Sequence, residues 1–327
     1  MINKDVKLAD NLFTNVNQVP TRNGFGDGVV EAGKQNKDVV LLCCDLTEST
    51  RSLAFKQNFP DRFIEVGVAE QNMAGIAAGL SFSGKIPFIT SYAVFSPGRN
   101  WDQIRVSICY SEANVKIIGA HAGISVGPDG ATHQALEDVA IMRVLPNMTV
   151  VVPCDYFDAK KAAIEAAKFK GPFYMRFARE KTPVITTEQT PFKIGRAEIF
   201  RHGDDVTIIA NGPLVYQSLL AAEELDKKGI SVQVINCHTI KPLDKVTIIN
   251  AAKHTKAIVT AEEHQIIGAL GGAISELLSE NFPVPIKRVG VRDRFGESGE
   301  PDQLMKKFNL VKEDIIDAVN EVLKRKK

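Results

Sequence analysis

The chain has 327 residues, a length sufficient for two domains, and its 44% hydrophobic and 24% charged residues are typical of globular proteins. The net charge is +1 at pH 7 and the only basic block is the run 324–327, so the charge pattern does not favour nucleic-acid or membrane binding. The start, M-I-N-K-D-V-K-L, lacks the apolar stretch of a signal peptide and no segment is long enough to cross a bilayer, which predicts a cytoplasmic location.

Short apolar runs rich in β-formers alternate with helical patterns from residue 38 onward. The runs are D-V-V-L-L-C-C (38–44), R-F-I-E-V-G-V (62–68), I-P-F-I-T-S-Y (86–92), V-K-I-I-G-A (115–120), M-T-V-V-V (148–152) and F-Y-M-R-F (173–177). Helical patterns occupy 70–80, 100–108 and 158–168. This alternation predicts a mostly parallel sheet flanked by helices.

A stretch rich in Thr and Pro, residues 181–191, interrupts the alternation and predicts a linker. A second alternation comes after it, with apolar runs at 206–210, 231–235, 257–261 and 285–289. The expected fold class is therefore α/β with two domains, residues 1–188 and 189–327, each a mostly parallel sheet flanked by helices. The second domain has a lower density of polar, potentially reactive residues.

Five cysteines occur without any C-x-x-C spacing, and most lie in apolar runs. This pattern predicts reduced core residues and no zinc site. They are Cys43, Cys44, Cys109, Cys154 and Cys237.

The most informative segment is G-A-H-A-G-I-S-V-G-P-D-G-A-T-H-Q at 119–134, which carries two histidines, an aspartate and four glycines. Glycines let the backbone approach a ligand closely, and an imidazole ordinarily titrates near neutral pH. A solvated surface loop is the alternative, and it would be the better interpretation for a single histidine. The combination favours a ligand-binding loop.

Polar residues also come after several predicted strands of the first domain. They are Asp45, Glu70, Tyr92, His121 and Arg179. In an open parallel sheet, ligands bind beyond the carboxyl ends of the strands. We therefore expect these side chains to form one composite site.

Glu70 follows an apolar run and opens an Ala- and Gly-rich helical pattern, so it is either a buried carboxylate suited to acid–base chemistry or a helix-start residue favoured by the helix dipole. Tyr92 and Phe95 are spaced to form an aromatic wall for a planar ring, although such pairs also fill cores. Arg22, Ser49, Arg179 and His121 are residue types that bind phosphate, but surface arginines are usually only solvated.

G-F-G-D-G at 24–28 is similar to the metal and diphosphate signature of thiamine-diphosphate enzymes. That signature follows a buried strand. Here the segment follows T-R-N-G and opens a helical pattern, so we predict that Asp27 is a first-turn helix residue. The sequence therefore gives this chain no metal ligands.

Over nearly its full length the chain resembles the C-terminal half of transketolase. The resemblance rests on T-R (21–22), D-L-T-E-S (45–49), G-V-A-E-Q-N-M (67–73), S-Y-A-V-F (91–95), the run 119–134, L-P-N-M-T-V-V-V-P (145–153), A-R-E-K-T-P (178–183), A-E-E-H (261–264) and F-G-E-S-G (295–299). It implies a pyrimidine-binding domain followed by the family's C-terminal domain, without the diphosphate-binding domain.

The resemblance also implies roles for individual residues. Glu70 matches the glutamate that hydrogen-bonds the aminopyrimidine of thiamine diphosphate, and Tyr92, Phe95 and Asp45 match other cofactor-binding positions. The residues that match positions lining the substrate channel are His121, Asp129 and His133, with both histidines assisting proton transfer. Those that match the grip on the substrate phosphate are Arg22, Ser49 and Arg179.

The implied activity is transfer of a two-carbon ketol unit from a ketose phosphate to an aldose phosphate. The implied assembly pairs this chain with itself and with a separate N-terminal transketolase subunit, as a heterotetramer in which the partner and the diphosphate ligate Mg²⁺. Alternatives are a deoxyxylulose-phosphate synthase-like chain, the beta subunit of a 2-oxoacid dehydrogenase and a non-catalytic regulatory paralogue. Ala69, Gln71 and the Pro97-Gly98 pair depart from the common family pattern and leave the substrate preference open.

Overall fold

The computed structural model describes residues 1–326 and contains two α/β domains. The strands of the first domain are β1 (Gln18–Pro20), β2 (Val39–Cys43), β3 (Phe63–Glu65), β4 (Ile86–Tyr92), β5 (Lys116–Ala120), β6 (Thr149–Val151), β7 (Phe173–Arg176) and β8 (Lys181–Pro183). Its helices are α1 (Thr21–Gln35), α2 (Leu53–Asn58), α3 (Glu70–Phe82), α4 (Trp101–Gln103), which continues as a π-helical segment Ile104–Tyr110, α5 (Asp138–Arg143) and α6 (Tyr156–Lys168).

Six of these strands form a parallel sheet in the order β6-β7-β5-β4-β2-β3. Every residue of β2 and of β5 is buried, as expected for parallel strands covered by helices on both faces. The predicted strands and helices of this domain are confirmed to within a few residues.

Helix α1 contains the Gly26-Asp27-Gly28 segment in its interior. A side chain at Gly24 would place its Cβ 2.0 Å from the carbonyl oxygen of Tyr156, and one at Gly28 would place it 2.5 Å from that of Lys160. These glycines therefore permit close packing of α1 on α6. The prediction of a helix is confirmed, but the helix begins at Thr21, so Asp27 lies in its second turn and not in its first.

The second domain has a five-stranded sheet in the order β14-β13-β10-β11-β9, in which only β9 is antiparallel to its neighbour. Its strands are β9 (Glu198–Arg201), β10 (Val206–Ala210), β11 (Val232–Asn236), β12 (Thr239–Lys241), β13 (Ile258–Gln265) and β14 (Ile286–Val291). Its helices are α7 (Leu214–Asp226), α8 (Lys245–Thr255), α9 (Leu270–Asn281), α10 (Pro301–Lys307) and α11 (Lys312–Leu323).

The two domains exchange segments. Strand β12 pairs antiparallel with β6 and so extends the first sheet. In the other direction, Ile2 forms a bridge with Arg201, and Val6 and Leu12 join the apolar core of the second domain. The predicted linker includes β8, which pairs with β1. The division at residues 188 and 189 stays a prediction.

All five cysteines are buried and free, as the apolar runs around them predicted.

Candidate active site

The parallel strands of the first sheet bring the predicted site residues to one edge. Asp45, Glu70, His121 and Arg179 each follow the end of a different strand, and Tyr92 is the last residue of β4. Side-chain contacts connect most of these residues into one continuous group.

Glu70 is the first residue of α3 and its side chain is only 3% exposed. Its carboxylate accepts a hydrogen bond from Ser91 Oγ at 3.3 Å and forms an ion pair with Arg99 Nη1 at 3.2 Å. Asn100 Nδ2 donates to its backbone carbonyl at 3.2 Å. The two interpretations of Glu70 therefore hold together: it starts a helix and it is buried.

Glu70 borders a cavity of about 560 Å³. The lining residues are Val68, Ala69, Glu70, Gln71, Asn72 and Arg99. Because the carboxylate is buried among protein atoms yet borders open space, it can exchange a proton with a ring that enters the cavity.

Tyr92 and Phe95 stack with ring centroids 6.1 Å apart, and Tyr92 also stacks on His121 at 4.0 Å. His133 meets the edge of Phe95 at 5.4 Å. The guanidinium of Arg99 covers Phe95 at 4.1 Å. An aromatic wall thus connects the Glu70 cavity with both histidines. The spacing of Tyr92 and Phe95 predicted the two rings of this wall but not their contacts with His121, His133 and Arg99.

His121 is 1% exposed and has a left-handed backbone conformation with φ of 51°. Its Nε2 lies 3.1 Å from Arg22 Nη1, and its Nδ1 has no protein partner. Burial lowers the pKa of His121 to about 3, and the charges of Arg22, Arg179 and Arg51 add to this effect. His121 is therefore a neutral imidazole at neutral pH, unlike the ordinary imidazole on which the sequence-based prediction relied.

Three arginines surround His121. Arg22 Nη1 also donates to the backbone carbonyl of Ser49 at 3.1 Å, while its buried Nε has no partner. Desolvation lowers the pKa of Arg22, and the nearby Arg51 and Arg179 lower it further. The sequence indicated the hydroxyl of Ser49 as a ligand, but the contact made to Arg22 is through its carbonyl.

Arg179 contacts the run 119–134 at Val126. Its Nη1 donates to Val126 O at 2.9 Å and is 3.7 Å from the carboxylates of Asp129 and Glu180. Asp129 itself is exposed. Together with Arg22 and Arg51, this side chain concentrates positive charge in one region, which suits an anionic group of a ligand.

Asp45 is exposed at the end of β2 and has φ of 55°. Its backbone N–H donates to Glu65 Oε1 at 2.7 Å, and Gly67 N donates to the same oxygen at 3.0 Å. Glu65 therefore connects the turn after β2 with the turn that precedes α3. No direct contact of the Asp45 side chain with Glu70 is present among the described residues.

Three glycines of the run 119–134 lie close to other protein atoms. A Cβ at Gly123 would lie 2.3 Å from Glu263 Oε1, one at Gly130 would lie 2.4 Å from Ser298 Oγ, and one at Gly119 would meet the ring of Tyr174. These glycines permit close contact with the protein itself, and largely with the second domain.

Three charged residues of this region were not predicted from the sequence: Arg99, Arg51 and Glu263. The two arginines lie among polar residues in segments 96–100 and 48–52, where no pattern separates them from solvated arginines. Glu263 follows the apolar run 257–261 without a turn, so its position inside a buried strand was a signal that could have been used.

Within residues 1–326, no three His, Cys, Asp or Glu side chains are grouped so as to hold a metal ion. In the same part of the chain, no helix combines the length and apolar character needed to span a membrane.

Comparisons with known proteins agree along most of the chain. A family model described as "Transketolase, pyrimidine binding domain" matches residues 17–184, and one described as "Transketolase, C-terminal domain" matches residues 195–315. The chain is 44% identical over 307 residues to a protein of Methanocaldococcus jannaschii provisionally named transketolase C-terminal section, with 93% of this chain and 96% of that protein covered.

Two further similarities are of the same extent. The chain is 44% identical over 305 residues to a 6-deoxy-6-sulfo-D-fructose transketolase subunit of Clostridium sp., covering 93% of this chain and 95% of that protein. A solved structure described as "Split gene transketolase, inactive beta4 tetramer" has a TM-score of 0.89 and 44% identity, covering 94% of this chain and 100% of that one.

Proposed function

Because the chain belongs to the transketolase family, we propose that it is the pyrimidine-binding subunit of a split transketolase. With a separate diphosphate-binding chain, it transfers a two-carbon ketol unit from a ketose phosphate to an aldose phosphate. The observation that carries this proposal is the buried carboxylate of Glu70 at a cavity of about 560 Å³, which the aromatic wall of Tyr92 and Phe95 connects to His121.

These residues fit the aminopyrimidine end of thiamine diphosphate. Glu70 offers a carboxylate that holds a proton at a ring nitrogen, and Tyr92 and Phe95 offer faces for a planar heterocycle. Asp45 lies at the next strand end of the same edge. When bound, the cofactor supplies the nucleophilic carbon and the electron sink that the reaction requires.

The arginines beyond His121 fit the anionic end of a sugar substrate. The buried Nε of Arg22 has no partner, and Arg179 is half-buried with its guanidinium beside Asp129. We assign Arg22, Ser49 and Arg179 to the phosphate. His121, as a neutral imidazole, and His133 and Asp129 bind hydroxyl groups, and the two histidines hold or transfer protons.

A partner subunit completes the enzyme in this proposal. The matched families are those of the pyrimidine-binding and C-terminal domains, and a solved structure of 44% identity is described as an inactive beta4 tetramer of a split gene transketolase. We assign Mg²⁺ and diphosphate binding to the partner, and we expect two copies of each chain in the functional assembly.

The test is reconstitution. The purified chain and a candidate diphosphate-binding chain are studied alone and mixed, with cofactor binding measured by calorimetry and ketol transfer by a coupled assay. We expect both activities only in the mixture, with a ketose phosphate as donor.

Full activity of this chain alone would contradict the split assembly. Use of pyruvate in place of a ketose phosphate would contradict the reaction and favour a deoxyxylulose-phosphate synthase-like activity.

A further inference from the structure

The segment 121–134, called here the histidine loop, packs against the second domain. Ile124 is fully buried in the same apolar cluster as the strands and helices of that domain. Gln134 Nε2 donates to Ile124 O at 3.2 Å and to Glu297 O at 2.9 Å, so it joins the loop to the segment before α10.

Glu263 of the second domain also forms a hydrogen bond with the histidine loop. It lies on β13 and is 0% exposed, and its Oε1 accepts a hydrogen bond from Ser125 N at 2.6 Å across 138 positions of the sequence. Its Oε2 has no partner. A hydrogen bond from an amide to a buried carboxylate is stronger than one between neutral groups.

The backbone of the loop is shaped to admit this carboxylate. Gly123 has φ of 88°, and a Cβ there would lie 2.3 Å from Glu263 Oε1. Gly123 is only two positions from His121, whose own φ is also positive. The turn that accommodates Glu263 therefore lies directly beside the residue that carries the imidazole.

Arg176 secures the other end of the loop to the same strand. Its Nη2 donates to Glu263 O at 2.7 Å and to Ala135 O at 3.3 Å, and its Nε donates to Asp138 Oδ1 at 3.2 Å. Both ends of the histidine loop are therefore held by groups that contact β13.

We propose that Glu263 is a positioning residue through which the second domain fixes the histidine loop, and with it His121 and His133, in the conformation that binds substrate. The mechanical part of this inference depends only on the contacts of Glu263 and Arg176. The statement about substrate rests on the proposed function.

Glu262 provides a matched control. It is the preceding residue of β13, it is 1% exposed, and its carboxylate accepts hydrogen bonds from Leu270 N and Gly271 N, both at 2.8 Å. Leu270 and Gly271 are the first two residues of α9, which lies in the same domain as Glu262. A substitution of Glu262 therefore removes comparable bonds from the same strand without touching the histidine loop.

The first measurement is amide hydrogen exchange of the purified chain, which needs no partner, cofactor or substrate. In Glu263→Ala, exchange in peptides covering 121–134 should accelerate by about tenfold or more, since loss of a bond to a charged acceptor changes the opening equilibrium by that order. Glu263→Gln retains an acceptor for Ser125 N and should restore most of the protection. In Glu262→Ala, faster exchange should be confined to the start of α9.

Gly123→Ala gives a second, independent perturbation of the same contact and should also accelerate exchange in the loop. Equal exchange of the loop in Glu263→Ala and wild type, or equal acceleration in Glu262→Ala, would overturn the inference.

The second measurement uses the assembled enzyme. Glu263→Ala should raise the KM for the donor about tenfold or more and leave cofactor affinity within about twofold, with rescue by Glu263→Gln. An unchanged KM with a loosened loop would overturn the assignment of substrate positioning. Absence of ketol transfer in the assembled wild type would instead contradict the proposed function, while the exchange results would still decide the mechanical part.

Discussion

Arg99 and Glu70 form an ion pair in which the two partners differ sharply in exposure: the arginine side chain is 50% exposed and the carboxylate 3%. The guanidinium simultaneously covers the ring of Phe95 at 4.1 Å. Arg99 therefore occupies both a carboxylate and an aromatic face that we assign to the cofactor. Under the proposed function, cofactor and arginine compete for these contacts.

Arg99→Ala should consequently strengthen cofactor binding to the assembled enzyme. The gain should be about three- to thirtyfold, the combined worth of an exposed ion pair and a cation–π contact. Calorimetry measures it directly. Arg105→Ala, which removes an exposed arginine from the adjoining π-helical segment, should leave the affinity unchanged. Weaker binding in Arg99→Ala would mean that Arg99 helps to hold the cofactor.

Glu70→Gln should preserve the shape of the site and remove its proton-holding group. We expect exchange of the C2 proton of bound thiamine diphosphate to slow by roughly 10²–10⁴-fold, the range typical of a lost general acid–base group. Nuclear magnetic resonance of the assembled enzyme measures this rate. Near-normal exchange in a variant that still binds the cofactor would remove Glu70 from the catalytic role.

Arg179→Ala should discriminate between substrates with and without a phosphate. Loss of a charged hydrogen-bonding partner costs roughly 1.5–3 kcal/mol, so the KM for erythrose 4-phosphate should rise about 10- to 150-fold. Glycolaldehyde, which has no phosphate, should be much less affected. Because Arg179 also donates to Val126 O, equal losses on both acceptors would indicate that it acts on the loop instead.

His121 should make the protein less stable in acid. The pKa of His121 is about 3 in the folded protein, compared with an ordinary value of 6.5. Between these two pH values, the imidazole is protonated in the unfolded state and neutral in the folded state. The free energy of unfolding should therefore fall as pH decreases from about 6.5, by up to about 1.4 kcal/mol per pH unit from this group. His121→Gln should show a shallower decrease in urea unfolding. The imidazole resonance of His121 should not titrate between about pH 5 and 8, and a midpoint in that range would contradict the assignment.

Two Gly→Ala substitutions distinguish the effect of helix packing on stability from the effect of helix propensity. Gly24→Ala should destabilise the chain by about 3 kcal/mol or more, because its Cβ would meet a backbone oxygen that moves only if α1 and α6 separate. Gly75 lies on an exposed part of α3, and a Cβ there would have no atom within 4 Å. Gly75→Ala should therefore stabilise the folded chain by about 0.5–1 kcal/mol. Thermal unfolding of the isolated chain measures both. A small effect at Gly24 would show that the helix pair can adapt.

The sequence correctly predicted which residues lie at the carboxyl edge of the first sheet, because that prediction needs only local patterns and one general rule. Apolar runs locate β2, β3, β4, β5 and β7, and because these strands are parallel, the residues at their carboxyl ends share a common edge. The positions of Glu70, Tyr92 and His121 result directly from this rule.

The remaining properties depend on contacts that no local pattern encodes. The pKa of His121 reflects how completely it is buried beside three arginines. The contact between Glu263 and Ser125 joins residues 138 positions apart, and the contact between Arg99 and Glu70 joins residues 29 positions apart. Burial and tertiary packing decide these features.

The pairing of β12 with β6 constrains how the polypeptide matures. On the ribosome, the first sheet remains incomplete until residue 241 has been synthesised, although the rest of its strands end at residue 176. Until then the edge of β6 presents unpaired N–H and C=O groups, which are a template for pairing with another nascent chain. One three-residue strand therefore leaves this edge exposed during translation and joins the two domains once it has been made.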